Sequence, residues 1–169
     1  MSLLDRAAAA SGAASAVSLA AICVVITAQI VARLAGQQIP AADDFAAWTM
    51  AASAFLALPY ALRHGDHIRV TLVLQFLPRG GERAFELVAT AIGTAVAAWA
   101  AWHTVAFVYG SWAYDEVAQG MLRVPLWIPQ FSMAVGMVLL AVVLADRLLR
   151  CIAGRPLVDP SGGEAARTE

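Results

Sequence analysis

The chain has 169 residues, 61% of them hydrophobic and only 14% charged, with a mean hydropathy of +0.72. A soluble domain of this size carries about 25% charged residues and has nowhere to hide so much apolar surface, so the composition points to an integral membrane protein with one membrane domain. The net charge of −1 names no partner, and there is no basic run of the kind nucleic acid requires.

The first uncharged run extends from Ala7 to Ala32, between Arg6 and Arg33. A secretory signal has an apolar core of only about 7–15 residues. This run therefore predicts a retained spanning helix over about residues 12–33, with its Ala/Ser-rich start at or outside the membrane interface. Gly36 to Pro40 turns the chain. Asp43 and Asp44 open a second span at about 44–62, where carboxylates complement a helix N-terminus; Pro59 predicts a kink near its end. Next comes the one stretch that mixes basic groups with a dense apolar run, PYALRHGDHIRVTLVLQFLP from Pro59 to Pro78. Arg63, His64, Asp66, His67 and Arg69 crowd together there, and Gly65 breaks the helix that delivers them. Ile68 to Leu77 is too short to cross a bilayer, which takes about 20 apolar residues. It carries a polar stripe of His67, Thr71, Gln75 and Arg79 opposite Ile68, Leu72, Val73, Phe76 and Leu77. That pattern fits an amphipathic helix lying in the membrane surface over about 66–78, and an ordinary basic connecting loop fits as well.

After Gly80-Gly81, the residues Glu82, Arg83 and Glu86 start a third helix, with a span at about 86–113. Its uncharged part, Leu87 to Tyr114, exceeds the bilayer core and predicts tilt or projection. Trp99, Trp102, Tyr109, Trp112 and Tyr114 thicken toward its far end, as an interfacial aromatic belt does. A loop with Asp115, Glu116, Gly120 and Arg123 leads to a fourth span at about 124–146. Its opening, VPLWIPQ, places prolines where helix amides have no intrahelical partner. The fold expected is an all-α membrane protein: one four-helix domain over residues 1–153, followed by a polar, Gly/Pro-rich and disordered tail at 154–169.

All eleven basic residues are Arg. They gather at the N-terminus (Arg6), in the middle loop (Arg63, Arg69, Arg79, Arg83) and in the tail (Arg147, Arg150, Arg155, Arg167). The two remaining loops hold one each, Arg33 and Arg123. The positive-inside rule then places both termini and the middle loop in the cytoplasm.

Ionisable groups inside a span ordinarily mark a transport or redox site, and His103 is the sole one well inside. It is either a proton relay or haem ligand, or a histidine bonded across a helix interface or seated near the outer headgroups. Bis-histidine ligation fails on depth, because His64 and His67 lie roughly 24 Å along the membrane normal from His103 at 1.5 Å per residue. His64, Asp66 and His67 form a weak surface-metal candidate, since Gly65 spoils their helical spacing. Cys23 and Cys151 differ in depth and read as inert thiols. No nucleophilic triad, phosphate loop or HExxH occurs, so neither an enzyme nor a bound cofactor is expected. The pairs Asp43-Asp44 and Asp115-Glu116 face outward, either solvated or touching a periplasmic partner. Small residues suit close helix approach in lipid: Ala51, Ala52, Ser53 and Ala54, and a stripe of Ala89, Gly93, Ala97 and Ala101. These features describe an accessory or scaffold subunit; a membrane-anchored redox subunit and a small stand-alone exporter are the competing classes.

The acidic pair Asp43-Asp44, the segment RHGDHIRVTLVLQFLP (Arg63 to Pro78) and the opening VPLWIPQFSMAVG (Val124 to Gly136) together resemble the small permease (Q-type) subunit of TRAP transporters, the tripartite ATP-independent periplasmic systems of bacteria. The likeness covers roughly residues 10–150. It departs at Thr71, where that family commonly has an aspartate. The resemblance implies an inner-membrane scaffold subunit, paired with a large permease subunit and a periplasmic binding protein. Such a system takes up C4-dicarboxylates or other organic acids on an ion gradient. Substrate and sodium are then expected in the large subunit, with no substrate-binding residue here. The candidate contacts to partner or lipid headgroups are Asp43, Asp44, Arg63, His64, His67, Arg69, Gln75, Trp127 and Gln130.

Overall fold

The computed structural model describes residues 3–64, 82–120 and 122–153. Within them lie four helices: α1 (Leu3–Leu34), α2 (Ala42–His64), α3 (Glu82–Ala113) and α4 (Trp127–Ile152). Each is long and apolar enough to cross a membrane. The described residues contain no strand, only an isolated bridge between Val117 and Pro125. The protein is all-α and multi-pass. The surface helix expected near 66–78 and the tail at 154–169 fall outside the described residues.

Two of the helix ends share one design. At the end of α1 the amide of Gly36 donates to Arg33 O (3.0 Å) and that of Gln37 to Ala32 O (2.9 Å). This is the Schellman arrangement, which requires a left-handed residue, and Gly36 supplies it at φ +73°. At the end of α3 the same pair of bonds runs from Asp115 to Trp112 O (3.4 Å) and from Glu116 to Ser111 O (3.0 Å). Here a side-chain-bearing residue, Asp115, takes the left-handed position at φ +49°.

Order in space differs from order in sequence. α1 packs on α2, α2 on α4 and α4 on α3, while α1 only brushes α4. The helices thus form an open row, α1–α2–α4–α3, with α4 the most buried and α1 and α3 at the edges.

Each seam is made by small residues and backbone. Between α1 and α2, Ala8, Ser11 and Ser15 are buried, and Ser15 Oγ donates across to Ser53 O at 2.8 Å. Gly12 lies flat against the Tyr60 ring, where a Cβ would stand 2.6 Å from Tyr60 Cγ. The Ala/Ser-rich start of the first run is therefore helix packed on α2, part of the continuous α1 from Leu3 to Leu34.

Between α2 and α4 the approach is closer still. Pro59, fully buried inside α2, has no N–H to give to the carbonyl four residues back, that of Phe55. Gly136 of α4 faces that same carbonyl: a Cβ there would lie 2.4 Å from Phe55 O and 2.6 Å from its carbon. The proline that frees the acceptor and the glycine that makes room for it belong to one contact.

Against α4, α3 lays down Thr90, Thr94, Ala97, Ala101, Thr104, Val108 and Ser111, a line of alternating three- and four-residue steps. Thr94 Oγ1 donates to its own turn at Thr90 O (2.7 Å) and lies 3.3 Å from Leu144 O on α4. The small-residue stripe noted in the sequence is divided along its length. Ala97 and Ala101 are buried, whereas Ala89 is exposed and Gly93 meets nothing within 4 Å. Uniform steps of four advance about 40° beyond a full turn each time, so such a stripe walks off a neighbour.

Gly136→Ala is expected to destabilise the protein by about 1–3 kcal/mol, since backbone cannot yield to the added methyl. Gly93→Ala, into open space, should be neutral or stabilising by up to about 1 kcal/mol. Thermal unfolding in detergent compares the two. Asp115→Gly should raise the midpoint by relieving a left-handed position, an effect of about 0.5–1 kcal/mol.

Candidate functional site

Three helix termini converge on one side chain. Arg63, in the last turn of α2, pairs through Nη1 with Asp5 at the start of α1 and through Nη2 with Asp146 Oδ2 near the end of α4, at 3.3 Å. Arg150 Nε reaches the same Asp146 oxygen at 3.0 Å from one turn further along α4. The Arg63 side chain is only 16% exposed. A guanidinium suits the position, because its planar fork serves two carboxylates from one stem. The arrangement puts the start of α1 and the ends of α2 and α4 at one end of the row, so the chain runs up, down, up and down.

His64 beside it is occupied locally. Its ring stacks on Tyr60 at a centroid distance of 4.0 Å, and Nδ1 lies 3.0 Å from Tyr60 O. His67, Arg69 and Gln75 fall outside the described residues. Among the described residues no three His, Cys, Asp or Glu side chains gather as a metal site, and no disulfide joins Cys23 to Cys151.

At the opposite end, the acidic pair is divided between two tasks. Asp43 Oδ1 accepts from Gln29 Nε2 of α1 at 2.9 Å. Asp44 turns to the α3–α4 loop, where a Cβ on Gly120 would stand 2.1 Å from its Oδ2. That loop is a compact strap. Ala118 N donates to Val124 O (2.8 Å) and Leu126 N to Glu116 O (2.9 Å), while Glu116 Oε2 accepts from the buried Ser111 hydroxyl at 2.7 Å. Asp43 therefore bonds α1, while Asp44 lies against Gly120 of the strap. Trp127 opens α4 and is 38% exposed. Gln130, one turn later, is buried, and its Oε1 has no hydrogen-bond partner among the described residues.

His103 sits on the exposed side of α3, its ring 4.6 Å from that of Trp99. Among the described residues it lies in none of the helix seams. Sequence reasoning overlooked Asp5 and Asp146. Each is a lone acid at the edge of an apolar run, and Arg63 supplies the matching base at the edge of another.

What these residues can do is join helix ends, α1 to α2 and α4 at one end and α1 to α2 at the other, where the strap lies against Asp44. This is a four-span helical membrane protein in which Arg63, Asp5, Asp146 and Asp43 tie its own helices together. The chain belongs to the family of the DctQ component of tripartite ATP-independent periplasmic transporters, whose family model matches residues 22–154. The match takes in α2, α3 and α4 but begins within α1, so Asp5, Gly12 and Ser15 precede it. No curated protein sequence matches the chain.

Arg63→Ala should cost about 1–3 kcal/mol, because it leaves Asp5 and Asp146 facing each other without their shared cation. Arg150→Ala, at a more exposed position, should change stability by less than about 0.5 kcal/mol. Unfolding midpoints of the two variants in the same detergent test the difference.

Proposed function

We propose that this protein is the small membrane subunit of a TRAP-type uptake system for organic acids, acting as a fixed brace beside a large permease subunit. The family match over residues 22–154 carries the reading, and it favours a transporter subunit over a membrane-anchored redox subunit or a stand-alone exporter. The described architecture supports it: the Arg63 cluster and the Asp43–Gln29 bond lock helix ends to one another, as a part that must stay still requires. In this reading a periplasmic binding protein delivers a carboxylate, and the large subunit moves it on an ion gradient. The small subunit gives that subunit a broader hold on the bilayer. The Arg distribution supports an inner-membrane orientation with both termini and the Arg63 end in the cytoplasm. The Asp44 end and its strap then face the periplasm. Residues 1–153 act as a single membrane domain.

Proteoliposomes containing this chain alone should accumulate no C4-dicarboxylate above empty vesicles under an imposed sodium gradient. Those containing it with the large subunit and the binding protein should accumulate substrate. Uptake by the isolated chain would overturn the proposal.

A further inference from the structure

The two edges of the helix row differ in chemistry. On α1 the outward face is aliphatic, with Val17, Leu19, Val24, Ile30 and Val31 exposed. Its hydroxyls are satisfied within the helix: Ser18 Oγ donates to Ala14 O at 2.9 Å and Thr27 Oγ1 to Cys23 O at 2.7 Å. Lipid tails can meet such a surface at no polar cost.

On α3 the side opposite the α4 seam is different. Two residues beyond the seam positions, about 200° around the helix, lie Ile92, Val96, Trp99, His103, Ala106 and Gly110. They follow the three- and four-residue steps with which the same helix packs on α4. His103 stands three positions from the middle of the Leu87–Ala113 span, about 4.5 Å along the axis, and so lies within the hydrocarbon. Its described contact is the Trp99 ring, and neither ring nitrogen has a hydrogen-bond partner among the described residues. His64 provides the contrast inside the same chain: stacked on the residue four positions back, it also bonds that residue's carbonyl. An imidazole needs two partners, and an ionisable side chain facing hydrocarbon without one is expensive. Next to it, Ala106 and Gly110 leave space for a second backbone to come close.

We infer that the Trp99–His103–Gly110 face of α3 is the docking surface for a transmembrane helix of the large permease subunit, which presents a hydrogen-bonding side chain to His103. The inference rests on the scaffold reading above and names the surface through which the brace acts. The aliphatic edge, α1, is left to lipid.

The test uses the full chain co-expressed with the large subunit, carrying p-benzoylphenylalanine in place of Trp99 or Ala106 on α3, or of Val24 or Ile30 on α1. After irradiation in membranes, adducts are identified by mass spectrometry. Adducts with the large subunit from the α3 positions, and not from α1, are expected. His103→Leu should lower the fraction of large subunit co-purified by roughly threefold to tenfold, the effect of one interhelical hydrogen bond in lipid. His103→Gln should retain most of it. Adducts from α1 instead of α3, adducts only with a second copy of this chain, or α3 probes that label only lipid would each overturn the inference and leave the scaffold reading standing. So would a His103→Leu variant that co-purifies the large subunit undiminished. Failure of the unaltered chain to co-purify the large subunit would overturn the scaffold reading, and this inference with it.

Discussion

Lipid tails are as apolar as leucine, so helices in a bilayer gain nothing by hiding greasy surface from one another. What holds them together is close approach, and the tightest approach here is a glycine against a carbonyl. Pro59 withdraws the donor that Phe55 O would otherwise have within α2, and Gly136 brings α4 near enough to cover that oxygen. The remaining seams extend the same principle. A serine hydroxyl reaches the Ser53 carbonyl, a glycine lies under the Tyr60 ring, and threonines and alanines line α3. Large side chains point away from the seams, which is why so many valines, isoleucines and tryptophans are exposed.

Packing by small residues fixes distance but resists sliding weakly, and the polar ends supply the register. At one end Arg63 is shared by carboxylates from two other helices. At the other, Asp43 holds Gln29 while Asp44 lies against Gly120 of the strap. The strap is itself closed by Ser111 and Glu116. The left-handed Asp115 lets α3 stop sharply enough for Glu116 to turn back.

The spans were legible in the sequence because hydropathy and length are local properties, and the bilayer sets the length required. Their neighbours in space were not. A run of alanines looks alike on every side, so the stripe at Ala89 and Gly93 could not be told from the real seam through Thr90 and Thr94. Only the position of α4 decides between them. The acids showed the same gap. Asp43 and Asp44 stand out as a pair, but Asp5 and Asp146 acquire meaning only when the fold brings both to Arg63. Pro59 and Gly136 are each ordinary signals, and their connection spans 77 residues of sequence. His103 was visible as an oddity from the start, and the structure adds the direction in which it faces.

The row α1–α2–α4–α3 is one helix thick. A row of that kind presents two broad sides, and the described residues bury few side chains between them, Pro59 and Ser111 most completely.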